Sequence, residues 1–180
     1  MKPLDIRDIS IIDALPTYCC RGLTEDSWRT ILNVGCGEGR IDWHLSLMGF
    51  QVYSTDIIKP KSTDGLNFSE ANIFDLKSFP IPSASVVICS QVLEHLKGLK
   101  RAVGNLLMLA EIRLIITVPR LKSYSCQYHV WHWDDLSIRE FEKWCKPYSV
   151  AITKIRTKPE DVKMKQWAYL IVVDKRQCYE

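Results

Sequence analysis

Ile31-Leu32-Asn33-Val34-Gly35-Cys36-Gly37-Glu38-Gly39 is an apolar run that ends in glycines spaced Gly-x-Gly-x-Gly. The residues behind it, 40–48, carry Ile41, Leu45 and Met48 at helical spacing, so the stretch reads strand, tight turn, helix. A turn of this kind leaves backbone N–H groups free where a helix begins. Glycines, lacking Cβ, let a ligand lie directly against the main chain. The stretch therefore predicts a site for a nucleoside-bearing cofactor.

Working outward, residues 51–55 form a second strand-like run that ends in Asp56. An acid about 20 residues beyond the glycines is where a doubly wound fold puts a carboxylate on ribose hydroxyls. An ionised carboxylate only accepts hydrogen bonds, which suits two hydroxyl donors. Further strands are expected at 67–71, 86–90, 113–118, 150–156 and 167–173, and helices at 99–110 and 136–144. Strands alternating with helices imply a parallel sheet covered on both faces. Residues 157–165 are a polar loop without helical pattern, so the last two strands are expected to pair as an antiparallel hairpin at the sheet edge. Residues 59–65 are too short and turn-rich for a full crossover helix, so a trimmed helix is expected there. The expected fold is α/β: one Rossmann-like, doubly wound, mostly parallel seven-stranded sheet with an antiparallel edge hairpin.

The chain has 180 residues, enough for one core and too few for two ordinary domains. We expect an N-terminal arm over residues 1–26, able to close over a substrate, followed by one domain over residues 27–180. No apolar run is long enough to span a membrane, and residues 1–12 lack a signal-peptide core. Seven cysteines show no paired CxxC spacing, which favours reduced thiols in a cytoplasmic protein over a disulfide framework or zinc site. The net charge of +3 does not by itself imply nucleic acid. Lys143, Lys146, Lys154, Arg156, Lys158, Lys163 and Lys165 nevertheless crowd the last third, either as a solvated face or as a phosphate-binding one.

The order of motifs resembles that of the class I S-adenosylmethionine-dependent methyltransferases, and the likeness runs from about Trp28 to Lys175. Asn33, Gly35, Cys36, Gly37 and Gly39 match the first motif, which the resemblance assigns to the methionine and ribose of S-adenosyl-L-methionine. Asp56, with Ile57, matches the ribose ligand. Asn72, Ile73 and Phe74 match the motif that contacts adenine. Val86 to Leu96, with Ser90 and Gln91, match the fourth motif, and Leu114 to Pro119 the fifth strand and its proline. Three positions depart from the family: Asn33, Asn72 and Ser85 stand where acids are usual. The amides still accept through their carbonyl oxygens, but contacts to the cofactor's ammonium and adenine amine lose charge. Asp75 is an alternative partner for adenine.

In such a sheet, ligands bind beyond the carboxyl ends of the strands, at the topological switch point. The connection over residues 120–133 is long and aromatic, a mark of a functional loop. We assign Tyr124, Tyr128, Trp131 and His132 to the acceptor. Methyl transfer needs an aligned nucleophile, exclusion of water and, for a hydroxyl acceptor, a base. His95, His129, His132 and Glu94 are the candidate bases, with His95 and His129 first because histidine titrates near neutrality. The expected acceptor is a small molecule or sugar presenting O or N; no obligate protein partner is evident.

Two alternatives stay open. Gln91-Val92-Leu93-Glu94-His95 is similar to the Glu-x-x-Glu-His motif of small-RNA 3′-end 2′-O-methyltransferases, which bind a divalent metal. That resemblance implies RNA as acceptor and a metal site of Glu94, His95 and His129, although Gln91 offers a hard cation a poorer ligand than a carboxylate. The first reading needs no metal. The other alternative, suggested by Asn33, Asn72 and Ser85, is a non-catalytic cofactor-binding module.

Overall fold

Seven strands form one sheet in the order β3-β2-β1-β4-β5-β7-β6 in the computed structural model. The structure describes residues 4–15, 29–61, 64–120, 128–156 and 167–175. The strands are β1 (Thr30–Val34), β2 (Gln51–Asp56), β3 (Phe68–Glu70), β4 (Ala84–Ser90), β5 (Ala110–Pro119), β6 (Ser149–Arg156) and β7 (Trp167–Asp174). The helices are α1 (Ile6–Asp13), α2 (Arg40–Leu47), α3 (Leu99–Leu109) and α4 (Ser137–Trp144). β1 pairs in parallel with β2 and β4, β2 with β3, and β4 with β5. β7 then runs antiparallel between β5 and β6, the expected edge hairpin. The chain reverses its direction across the sheet between β1 and β4. That is the switch point where open α/β sheets bind ligands.

Side chains of a strand alternate between faces, and neighbours in sequence part accordingly. Leu32, Val87, Cys89, Leu114 and Ile116 face one core with α3 and α4. Ile31, Val86, Ile88 and Ile115 face the other, with Ile11 of α1 and Ile41 and Leu45 of α2. Burial on both faces explains why the central strands read as unbroken apolar runs.

Four details differ from the sequence reading. α1 was not expected; Asp5 caps it, accepting from the Arg7 and Asp8 amides, while Asp8 accepts from the Asp5 amide. α2 ends at Leu47, and Met48 is the exposed C-cap instead of a core residue. Leu136 likewise caps α4 and is exposed. Among the described residues between β2 and β3 there is no helix. The polar loop expected over residues 157–165 lies outside the described residues. No helix among the described residues is long and apolar enough to cross a membrane.

Candidate functional site

The turn after β1 is bent by left-handed glycines: φ is +79° at Gly35, +53° at Gly37 and +68° at Gly39. At two of them a Cβ would also press on a neighbouring side chain. A Cβ on Gly35 would lie 2.2 Å from Val92 Cγ2, and one on Gly39 2.1 Å from Leu66 Cδ1. Gly37 differs, because nothing stands within 4 Å of where its Cβ would be. The turn is closed from β2: the Gly35 and Cys36 amides donate to Thr55 O, and the Gly37 amide donates to Asp56 Oδ2 at 2.9 Å. Asp56 Oδ1 accepts from the Ile57 amide at 2.7 Å. The Asp56 carboxylate is thus held at the mouth of the turn, with lone pairs to spare.

A cavity of about 570 Å³ opens over this turn. Asn33, Gly35, Cys36 and Gly37 line it from β1 and the turn, and Asp56 and Ile57 from the end of β2. Ser90, Gln91, Val92 and His95 line it from beyond β4, and Arg7, Asp8 and Arg40 from the α1 side. α1 is tied over the cavity by ion pairs from Arg40 to Asp5 (2.8 Å) and Asp8 (2.7 Å), and by Arg113, which donates to Ala14 O. Sequence reasoning missed Arg7, Asp8 and Arg40. The Asp5/Asp8 capping box was the signal that α1 exists.

Beneath the turn, Asn33 and Asp42 are both buried, and Asn33 Nδ2 donates to Asp42 Oδ1 at 2.6 Å. Burial first, then the charges of Asp42 and Asp56, push the Cys36 thiol far up. Cys36, Cys89 and Cys145 are free thiols; Cys19 and Cys20 lie outside the described residues.

At the end of β4 the backbone is strained. Gln91 has φ +58°, a region a non-glycine residue enters at a cost. Its amide donates to Thr117 O and its Nε2 to Thr117 Oγ1, which also bonds Ser90 Oγ. This kink sends the chain into the turn that carries Glu94 and His95. Glu94, His95 and His129 bring ligand-type atoms within 4.8 Å of one another. His95 Nε2 stands 4.0 Å from Glu94 Oε1, His95 Nδ1 lies 3.1 Å from Tyr128 O, and the two imidazoles meet edge to face at 5.0 Å. Burial, then His95 and His132, hold His129 below the ordinary histidine range, so it is neutral at physiological pH.

Glu94 is 1% exposed and its Oε2 has no hydrogen-bond partner. Burial pushes its carboxyl up to about 7, against the pull of His95 and Arg7. A folded-state pKa above the ordinary value of 4.5 means stability that is present below pH 4.5 and lost as pH rises through about 7. Glu94→Gln is expected to remove that loss. Denaturant melts at pH 5.5 and 8 should show the variant gaining on the parent at pH 8, by on the order of 2 kcal/mol. Equal pH profiles would mean that the carboxyl is solvated in the folded protein.

The acceptor residues named from sequence are only partly placed. Tyr128, Trp131 and His132 are exposed beyond β5, next to His129, and Tyr124 lies outside the described residues. The Val130 and Trp131 amides donate to Glu94 O, which binds this segment to the β4 turn. Asn72, Ile73 and Phe74 do not line the cavity. Asn72 Oδ1 accepts from the Phe74 amide, and Asp75 Oδ1 from the Lys77 amide, so both side chains serve local turns. α3 fixes the segment through Asn105 to Ile73 O and Arg101 to Phe74 O. Of the basic residues in the last third, Lys154 pairs with Asp135 and Lys143 with Glu140, while Lys158, Lys163 and Lys165 lie outside the described residues.

The chain is similar to known methyltransferases. Residues 32–109 match a family model described as a methyltransferase domain. A ubiquinone biosynthesis O-methyltransferase of Rickettsia prowazekii is 28% identical over 138 residues, covering 67% of this chain and 54% of its own length. The chain thus spans about half the length of that curated relative. A SAM-dependent methyltransferase from Archaeoglobus fulgidus superposes with a TM-score of 0.70 at 17% identity, covering 94% of this chain and 91% of that one. The methyltransferase domain of bacterial CtHen1 superposes with a TM-score of 0.63 at 16% identity, covering 93% and 97%.

Proposed function

We propose that this chain is a class I S-adenosylmethionine-dependent methyltransferase, and that it transfers a methyl group to an O or N nucleophile of a small-molecule or sugar acceptor. A hydroxyl is favoured by the O-methyltransferase name of the Rickettsia relative. The observation that carries the proposal is one cavity holding three things: an open glycine turn, a carboxylate at its mouth and a histidine on its far wall.

The residues fit S-adenosylmethionine. Gly37 leaves room above its backbone, Asp56 can accept from ribose hydroxyls, and Asn33 Oδ1 is a buried acceptor without a donor. When bound, this cofactor supplies an electrophilic methyl on a cationic sulfur. Gly35, Cys36, Gly37, Gly39 and Asp56 would hold ribose and methionine, with Ile57, Ser90 and Gln91 around them. His129, or His95 beside it, takes the proton of the acceptor hydroxyl; a neutral imidazole can accept it at pH 7. Tyr128, Trp131 and His132 wall the acceptor and help exclude water. Residues 1–26 act as an arm on the 27–180 domain, with Arg7 and Asp8 in the cavity wall. Free thiols support a cytoplasmic setting.

The test is transfer of labelled methyl to a panel of phenols, catechols, sugars and amines, beside an RNA oligonucleotide. His129→Ala is expected to lower kcat by roughly 10²-fold or more while leaving cofactor affinity unchanged. Label appearing on RNA, with none on any small acceptor, would defeat the proposal.

A second reading has one specific observation behind it. The Glu94–His95–His129 cluster has the donor set of a divalent-metal site, and Glu94 Oε2 lacks a partner. With the likeness of residues 91–95 to the Glu-x-x-Glu-His motif of small-RNA 2′-O-methyltransferases, this supports metal-assisted 2′-O-methylation of RNA. Against it, Gln91 is a neutral amide where that motif has a glutamate, and two of the basic residues are paired with acids. Calorimetry with Mn²⁺ and Mg²⁺ decides. Saturable heat that vanishes in Glu94→Gln would favour RNA, and its absence the small acceptor.

A further inference from the structure

This inference rests on reading the cavity as an S-adenosylmethionine site. Asn33 is 2% exposed and Asp42 is 0% exposed, yet the pair lies directly under the glycine turn. The 2.6 Å contact runs from Asn33 Nδ2 to Asp42 Oδ1. A carboxylate only accepts, so this bond dictates which end of the amide faces Asp42. The other end, Oδ1, is buried without a partner, and Asn33 lines the cavity. A buried carbonyl oxygen with no donor is costly unless a ligand supplies one. Negative charge behind the amide also strengthens its hold on a cation.

We infer that Asp42 is a positioning residue that aims the Asn33 amide oxygen into the cavity, to receive an N–H of the ammonium at the methionine end of the cofactor. The anion that a carboxylate at position 33 would place against the ligand stands one hydrogen bond further back, on α2. Protonation would undo the arrangement. A neutral Asp42 can donate to Asn33 Oδ1, and the amide then turns its NH₂ toward the ammonium.

The groups facing Asp42 are Asn33 from β1, the Ser54 hydroxyl from β2, the Cys36 thiol from the turn and Asp8 from α1. Arg40 on its own helix is engaged by Asp5 and Asp8. Burial first, then Asp8, push the Asp42 carboxyl up to about 6, against Ser54 and Asn33. The change in amide orientation therefore falls between mildly acidic and neutral pH.

The experiment compares S-adenosylhomocysteine with 5′-methylthioadenosine, which lacks the amino-acid end, by calorimetry at pH 7.5 and 5.0. Affinity for S-adenosylhomocysteine is expected to fall about ten-fold at the lower pH, while that for methylthioadenosine stays nearly constant. Asp42→Asn should bind S-adenosylhomocysteine about ten-fold more weakly at pH 7.5 and lose the pH dependence. Exchanging the pair, Asn33→Asp with Asp42→Asn, keeps the hydrogen bond and should restore affinity; this variant carries the test where Asp42→Asn alone fails to fold. Parallel weakening of both nucleosides overturns the inference, as does an Asp42→Asn protein with the parent's affinity and pH profile. Binding of neither nucleoside at either pH overturns the cofactor reading itself, and the inference with it.

Discussion

Trp133→Ala is expected to destabilise the protein by about 3–5 kcal/mol. Trp133 is 2% exposed and belongs to the core under α3 and α4. Its ring meets Phe141 edge to face, with centroids 6.1 Å apart, and its backbone bridges to Arg120. Removing the indole empties the largest fully buried side chain among the described residues, and the cavity is bounded by a helix and a sheet that cannot close on it. Trp133→Phe is expected to cost less, because the buried indole Nε1 has no hydrogen-bond partner and its loss relieves an orphaned donor. Denaturant melts of both variants check this. A loss below about 1 kcal/mol for alanine would mean that residues 128–136 pack loosely. Because Trp133 anchors the segment carrying His129 and Trp131, Trp133→Ala is also expected to depress activity more than its melting point alone explains.

That residue also marks where the sequence was hard to read. Trp131 and Trp133 stand two apart in an aromatic connection, and nothing local tells them apart. One is exposed at the site, while the other is a core anchor. Burial there is decided by α4, whose Phe141 arrives from elsewhere in the chain. The sheet was legible because its rule is local. Ile31/Leu32, Val86/Val87 and Ile115/Ile116 are apolar on both faces, as central parallel strands must be. The glycine turn and Asp56 were legible because backbone conformation restricts residue type there. α1 was not, since Ile6 and Ile9 are exposed and the helix buries little besides Ile11. Asp42 was overlooked because an acid in a helix reads as solvent-facing. Its burial between Ile41 and Leu45 becomes evident only once β1 and β2 close over it. Asn72 was read as a ligand-facing amide, yet its side-chain oxygen is used by its own turn, the habit of asparagine in short loops.

Asp56→Ala is expected to weaken S-adenosylmethionine binding by about 1–3 kcal/mol, with little change in folding stability. Two losses combine. The ribose hydroxyls lose an acceptor held in place before they arrive, and the Gly37 amide, 2.9 Å from Asp56 Oδ2, loses the bond that keeps the turn in its left-handed shape. Asp56→Asn separates them. Its single carbonyl oxygen can serve either Gly37 or the ribose, but not the two-oxygen pattern that now serves Gly37 and Ile57 together. An intermediate loss is therefore expected, within the same range and below that of alanine. Calorimetric titration of folded variants with S-adenosylmethionine reads both. Adenosine, which carries the ribose but no methionine, should lose affinity in the same proportion, as the proposed ribose role of Asp56 requires. A loss confined to S-adenosylmethionine would move Asp56 to the methionine end. Unchanged affinity in a folded Asp56→Ala protein would place the ribose elsewhere and reduce Asp56 to a prop for the glycine turn.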